Sequence, residues 1–578
     1  MSCIYDSRTF TFAYGPSMTQ SHSRRKFIRH FSVGTVAVST LPLTACGGEG
    51  AVDRKVSFAH GVASGDPLSD RVILWTRVTA LGTEDLEADW TVAEDSDFTR
   101  VAAFGTVRFG AASDFTLKID ATGLAANRAY YYRFRCRGVM SPVGRTRTLP
   151  TGTVTRARFA VFSCTNYPAG FFNVYNDAAR FDDIDVGLHL GDYIYEYAAG
   201  AYASQDAAAL GRVSQPANEI ITLTDYRRRY QQYRTDPDLQ AVHARIPFIT
   251  VWDDHELAND AWTGGAENHD PATEGLWLGR RQMAIQAYNE WMPIRVPDAA
   301  RPDRIYRSFD FGNLLSLHML DTRVIGRDKQ LAYANYVGAD RTFNAAAFTA
   351  DVTNPARQLM GAEQTAWLQA QMSKSTATWQ VLGQQVLMAR MNLPAPMVLG
   401  TVGYPTYFAI AAKVQAGVAL SVVEQQQLAA SPVPYNLDAW DGYQAARETV
   451  LTMSRNLNKN LVVLAGDTHN AWASDLLDVN GQAVGVEFGV PSVTSPGFET
   501  YFPTIAPATV ASGMETLIGP LQYAETISRG FVVLTVTPTE TRAEYRYIDN
   551  FKSRTYTAVV GKTLRTLPGA ANRKLVSA

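Results

Sequence analysis

Short apolar runs that end abruptly in polar residues recur along the chain from residue 158 onward. The clearest is Val186-Gly187-Leu188-His189-Leu190, an apolar stretch bounded by glycine, as a strand covered on both faces should be. Asp192 follows at once, with Tyr195 and Glu196 behind it. A lone Gly-Asp after a strand is ordinarily a turn with an Asx hydrogen bond, so the argument rests on recurrence. The run 158–163 leads into Cys164-Thr165-Asn166, and 246–252 leads into Asp253-Asp254-His255-Glu256, with Asn259 and Asp260 close behind. The run 314–320 delivers Asp321-Thr322-Arg323, 381–383 delivers Gln384-Gln385, and 461–465 delivers Gly466-Asp467-Thr468-His469-Asn470. In open α/β sheets ligands bind beyond the carboxyl ends of the strands. Several such ends meeting at one edge would crowd carboxylates out of water, which is costly unless cations neutralise them.

Helical patterns alternate with these runs, which predicts an α/β catalytic domain over residues 153–560. Residues 224–244 carry Tyr226, Tyr230 and Tyr233 at helical spacing beside Arg227, Arg228 and Arg229, and read as a packed helix with a solvated basic face. Residues 274–292 read as an amphipathic helix stopped at Pro293. Residues 392–446, rich in Ala, Gln and Pro, form an insertion expected to act as a lid, and 561–578 are expected to be a tail. Ahead of this domain, residues 54–150 alternate with period two, as in Phe115-Thr116-Leu117-Lys118-Ile119 and across Tyr130, Tyr132, Phe134 and Cys136. Turn signals separate the short strands, so a small separate all-β sandwich is expected there, with its aromatics in the core.

Composition narrows the class without naming a function. With 46% hydrophobic and 19% charged residues and a net charge of −2, the 578-residue chain is neither disordered nor a polybasic nucleic-acid binder. No specific nucleic-acid binding is expected. Its four cysteines are too few for a disulfide framework. Cys3 and Cys46 fall in the leader, so at most Cys136 and Cys164 remain to pair, and a free thiol at a strand end reads better as a ligand.

Residues 1–46 read as an address label. Ser23-Arg24-Arg25-Lys26-Phe27-Ile28 resembles a twin-arginine export signal, and Leu43-Thr44-Ala45-Cys46-Gly47 resembles a lipobox. The expected consequences are engagement of the twin-arginine export machinery, a periplasmic or other extracytoplasmic location, and a membrane tether through acylated Cys46.

The polar clusters together supply thiolate, phenolate, imidazole, carboxylate and amide donors. The first two suit a ferric ion, and carboxylate with amide oxygen suits a harder ion such as calcium. Asp192 can bridge two ions, and paired ions of this kind serve in-line displacement at phosphorus by ionising a bound water. Asn166 and Arg323 would complete the clamp on developing charge, and His255 stands with them as a catalytic candidate.

In order, Cys164-Thr-Asn166, Gly191-Asp192-Tyr-Ile-Tyr195-Glu196, Asp253-Asp254-His255-Glu256 with Asn259-Asp260, Leu320-Asp321-Thr322-Arg323, Asp438-Ala-Trp440-Asp-Gly-Tyr443 and Gly466-Asp467-Thr468-His469 resemble the motifs of the PhoD-like alkaline phosphatases. These belong to the calcineurin-like metallophosphoesterase superfamily. The resemblance implies a four-layer α/β core, a central β-sandwich flanked by helices, preceded by a small immunoglobulin- or fibronectin-like sandwich. It also implies one ferric ion with calcium ions, and exported alkaline phosphatase activity on small mono- or diester substrates. Carried over by position, Cys164 and Tyr195 match the iron ligands, Asp192 the bridging carboxylate, and Asp467 and His469 the last ligands. Asp254 and Asn259 are taken as ligands from a stretch where several oxygen donors stand close together. A phospholipase D-like diesterase on the same site and a non-catalytic, lipid-tethered phosphate-binding protein are the alternative readings.

Overall fold

The computed structural model describes residues 55–578; the stretches read as an export signal and a lipobox lie outside the described residues. Two large mixed sheets organise the chain, and both are parallel at their centres. In the first, Ala157–Phe162, Val186–His189 and Phe248–Thr250 run parallel side by side. In the second, Leu315–Met319, Trp379–Gly383, Asn460–Ala465 and Ala483–Gly489 do the same. Val186–His189 is buried at every position, which is why its sequence shows no alternation. The sheets share one hydrophobic core, where Phe159 of the first meets Phe311 of the second edge-on at 5.1 Å. Burial on both faces removes the amphipathic signal, so these strands are marked in sequence only by length and by their polar ends.

The amino-terminal sandwich is less separate than its sequence suggests. Val62–Gly65, Arg71–Arg77 and Thr116–Thr122 extend the first large sheet, making it ten-stranded, with Gly65 paired to Phe248. Gly144–Arg147, Ala129–Cys136, Leu86–Ala93 and Val101–Phe109 form the opposing sheet, and Leu74, Val92, Tyr132 and Phe134 fill the space between. The pairing covers an edge that the short Phe248–Thr250 strand would otherwise leave open. Glycine is needed at the junction because a Cβ on Gly65 would fall 2.2 Å from the Pro293 carbonyl oxygen. Arg71–Arg77 is therefore buried on both faces: Trp75 turns away from the sandwich core, donates its indole N–H to Glu290 O at 2.8 Å and packs against Trp291. Lys118, a polar position of the alternating strand, is half-buried; its ammonium donates to Asn289 O and to Ile294 O, carbonyls at and just past the end of the helix Trp277–Trp291.

Other expectations are refined by local chemistry. Residues 224–244 form two helices, Leu223–Tyr233 and Pro237–Arg245, because Asp236 caps the second and Pro237 sits in its first turn. Their basic residues are not a uniform solvated face, since Arg229 is buried. The helix expected at 274–292 starts at Trp277, after Gly275 breaks the chain at φ 82°. The insertion 392–446, expected to act as a lid, holds short helices beside a strand pair, Asn392–Pro394 with Pro432–Pro434, and its Phe408 packs on Phe502. Residues expected as a tail instead contribute to Ala558–Thr566 and form Val576–Ser577, which complete the far edge of the ten-stranded sheet. Among the described residues no helix is long and apolar enough to cross a membrane.

A buried ion pair staples the sandwich to the catalytic layers. Arg307 reaches Asp66 through two hydrogen bonds of 2.8 and 2.6 Å, and Asp66 also accepts the Arg295 backbone N–H at 2.6 Å. Truncating one partner leaves the other charge buried and unpaired, so Arg307→Ala is expected to destabilise the protein by about 3–5 kcal/mol. A denaturant midpoint unchanged from that of the unaltered protein would refute the role of this staple.

Candidate metal centre

The carboxyl ends of the two sheets converge on one volume, and the backbone there is under local strain. Cys164, Asp192, Asp467 and His469 all adopt left-handed conformations, with φ of 60°, 58°, 65° and 64°. Such geometry is unfavourable for residues with a Cβ and concentrates at functional sites. It turns the chain sharply just past each strand. Gly191 sits beside this turn at φ 111°, where a Cβ would fall 2.3 Å from the Asp253 Cβ.

Three overlapping sets of donor atoms, each within 4.8 Å of one another, occupy the convergence: Cys164 with Asp192 and His469, Asp192 with Asp254 and His255, and Asp253 with Asp254 and Asp467. Asp192 and Asp254 each belong to two sets, which is the arrangement expected of carboxylates between neighbouring ions. Tyr195 joins the first set: its hydroxyl donates to Asp192 Oδ2 at 2.9 Å, lies 3.1 Å from His469 Nε2, and accepts from Ser495 at 2.7 Å. The donor chemistry fits bound cations. Asp192 Oδ1, Asp253 Oδ2, Asp254 Oδ1 and Asp467 Oδ2 are all buried without a hydrogen-bond partner, a costly state for protein alone. Burial, and after it the charge of Asp192, push the Cys164 thiol and the Tyr195 phenol well above their ordinary values. Both would ionise only against a nearby positive charge, as a metal supplies. Cys136 and Cys164 are both free thiols.

A chain that matches the PhoD-like phosphatase model over residues 159–545 and the PhoD-like phosphatase N-terminal domain model over 45–150 carries this centre. It belongs to the PhoD-like phosphatase family. Over 550 residues it is 35% identical to alkaline phosphatase D of Bacillus subtilis (strain 168), a match covering 90% of this chain and 84% of the relative. A solved structure described as "Structure of PhoD" superimposes with a TM-score of 0.72 at 32% identity, covering 90% of this chain and 92% of that one. The α/β architecture is thus common to this PhoD-like chain and that structure.

Around the donor sets, this PhoD-like chain builds a layer of fixed partners that its sequence had only partly disclosed. Glu256 accepts backbone N–H groups from Asp192 at 3.0 Å, Tyr193 at 2.5 Å and Asp253 at 2.8 Å, tying two strand ends together. Glu196 accepts from Asn259 N at 2.8 Å and Asn268 Nδ2 at 2.9 Å and lies 2.7 Å from His255 Nδ1. Burial opposes charging of His255, yet Asp254 and Glu196 hold its imidazole well above the usual histidine range. From beneath, Arg229 donates to the carbonyl oxygens of Tyr195 and Tyr197, fixing the loop after Asp192.

Of the other expected residues, Asn166 is buried with both side-chain amide atoms unpartnered, its backbone N–H held by Thr494 at 2.8 Å. Asn259 donates its side-chain N–H to Glu267 at 3.0 Å. Arg323 departs from the open clamp expected of it. It is wholly buried, and its guanidinium reaches Asp253 at 2.5 Å, Asp438 at 2.7 Å, Asp467 at 3.4 Å and Asp254 at 3.7 Å. Asp438, part of a motif but not taken as a site residue, stands shortly after the strand Pro432–Pro434 and also receives Arg327. The polar ends at Asp321 and Gln385 are structural: Asp321 accepts N–H groups of Arg323 and Val324, and Gln385 bonds Thr322 and the carbonyls of Trp252 and Leu320.

Cys164→Ala is expected to weaken transition-metal retention by about tenfold or more, with the far-UV circular dichroism unchanged. Elemental analysis after gel filtration reads the outcome; full metal content in the variant would remove Cys164 from the ligand set.

Proposed function

We propose that this PhoD-like chain is a metal-dependent phosphoric ester hydrolase working at the strand-end cluster. The observation that carries the reading is the set of four buried aspartate oxygens without hydrogen-bond partners, next to a thiol and a phenol that only a cation would ionise. Family membership supports the same activity, since the Bacillus subtilis relative is named alkaline phosphatase D. A purely phosphate-binding role is not favoured. Cys164, Asp192, Tyr195 and His469 would hold the softer, ferric ion, and Asp192, Asp254, Asn259 and Asp467 the calcium ions. Bound there, such ions supply Lewis-acid stabilisation of phosphoryl charge and lower the pKa of water at the site.

The chain's own groups do the rest. Asn166, with its side-chain amide unpartnered, donates to a phosphoryl oxygen. His255 is fixed at Nδ1 by Glu196, which leaves its other ring nitrogen to hold a proton for the departing oxygen. Arg323 acts through the carboxylates it orients, holding Asp253 and Asp438 in place. We further propose that the two core sheets with their outer helices form the four-layer metallophosphoesterase arrangement, and that the leading sandwich is of immunoglobulin or fibronectin type.

Loaded protein is expected to hydrolyse 4-nitrophenyl phosphate and bis(4-nitrophenyl) phosphate, and exhaustive chelation is expected to lower both rates at least about a hundredfold. Calcium should restore part of the loss. Undiminished turnover with the metals confirmed absent would overturn the reading, and the ratio of the two rates fixes the monoester or diester preference.

We also propose that the protein is exported by the twin-arginine route and held outside the cytoplasm by lipid on Cys46. A folded, metal-filled centre suits a route that carries folded cargo, and diacylglycerol plus an N-acyl chain exceeds the marginal anchoring of one chain. Replacing Arg24 and Arg25 by lysine should leave active precursor in the cytoplasm, and Cys46→Ser should release the protein from membranes. Recovery of unaltered protein wholly in the soluble fraction would refute the tether.

A further inference from the structure

Exposure within the donor cluster is uneven. Cys164, Asp192 and Asp254 are 0%, 1% and 2% exposed, whereas Asp467, His255 and His469 retain 8%, 7% and 6%. A substituent on a phosphoryl group held by the cluster would extend towards these more exposed residues, the two histidines among them. Tyr202 lies against both of them: its ring is 6.5 Å from His255 and within 15° of parallel to it, and 6.4 Å from His469, with its hydroxyl 3.3 Å from His469 Nδ1. Tyr197 adds a second ring, 5.3 Å from Tyr202 and 5.4 Å from His255, and the buried Tyr195 stacks under Tyr202 at 5.7 Å. Tyr197 and Tyr202 are only half-buried, so part of each stays open to solvent.

The segment bearing these rings is chemically plain and well held. Residues 197–205, YAAGAYASQ, contain no charge, and Gly200 and Ala201 between the tyrosines are small and exposed. Arg229 bonds the Tyr197 carbonyl at 3.0 Å, and Ala199 N–H bonds the Ala217 carbonyl at 2.9 Å. Fixed, uncharged tyrosine rings here offer stacking and dispersion to a flat group.

We propose that Tyr197 and Tyr202 form a stacking platform that makes the enzyme prefer phosphate esters bearing a flat aromatic group, such as a nucleoside or aryl substituent, over alkyl esters. This rests on the hydrolase reading above and names a substrate class for the same site. Thymidine 5′-phosphate and ethyl phosphate both release a primary alcohol, and only the first carries a flat ring, so their ratio of kcat/KM, read by phosphate release, isolates the platform. The metal-loaded full-length protein is expected to favour the thymidine ester by about tenfold or more, mostly through KM. Tyr197→Leu and Tyr202→Leu should bring the ratio towards unity, and Tyr202→Phe should keep it. Equal kcat/KM for the two esters in the unaltered protein overturns the platform and leaves the hydrolase reading intact. So does an equal fall for both esters in the Leu variants, which would assign the rings to support of His469 alone. Hydrolysis of neither ester by metal-loaded protein overturns the hydrolase reading and the platform with it. Should Tyr202→Leu not fold, Tyr197→Leu decides the matter by the same ratio.

Discussion

Like-charge crowding is the constraint around which this molecule is built. Asp192, Asp253, Asp254 and Asp467 face one another largely out of water, and the guanidinium of Arg323 reaches three of them. At short range in a poorly polarisable interior, that repulsion is large. The surrounding framework answers it twice. Glu256 and Glu196 act on backbone and imidazole rather than on the cluster itself, locking the loops so that the carboxylates cannot swing apart into solvent. The left-handed turns at four donors serve the same end, since a relaxed backbone would point those side chains elsewhere. What remains uncompensated is the part that cations are suited to neutralise.

Much of this was legible in the chain because strand and ligand are adjacent in sequence. Cys164, Asp192, Asp254, Asp467 and His469 each stand within a few residues of an apolar run, so topology alone brings them together. What stayed hidden depends on contacts distant in sequence. Asp253 and Asp254 are indistinguishable as neighbours in a string, and only the approach of Arg323 from another strand end separates their roles. Asp438 lies inside the insertion, after a three-residue strand too short to mark in sequence. Tyr202 sits in an irregular loop whose alanines and glycine carry no periodicity. Arg323 invited assignment as a clamp because arginine is the usual phosphate donor, yet its surroundings hold more carboxylate than a free guanidinium could ignore.

The junction with the leading sandwich follows the same logic of hidden faces. Arg71–Arg77 reads as an ordinary apolar strand, and nothing local shows that its second face belongs to the helix Trp277–Trp291. Lys118 shows how alternation misleads: the outward position of one module becomes an inward position when that module is pressed against another. The sandwich is thus part of the scaffold that carries Phe248–Thr250, and through it the Asp253 and Asp254 end of the site.

The ten-stranded sheet is assembled out of chain order, and this bears on how the protein is made. Its centre, Ala157–Phe162 beside Val186–His189, is synthesised early, but one neighbour of that centre is Arg529–Val536, close to the far end of the chain. Until that segment emerges, the flank of Ala157–Phe162 presents unpaired N–H and C=O groups and bare hydrophobic residues, the condition under which strands pair with the wrong partner. Such long-range closure is slow relative to local folding. The unfinished protein therefore passes through a sticky, half-sheeted stage hundreds of residues long, and its yield in any host depends on how well that stage is shielded.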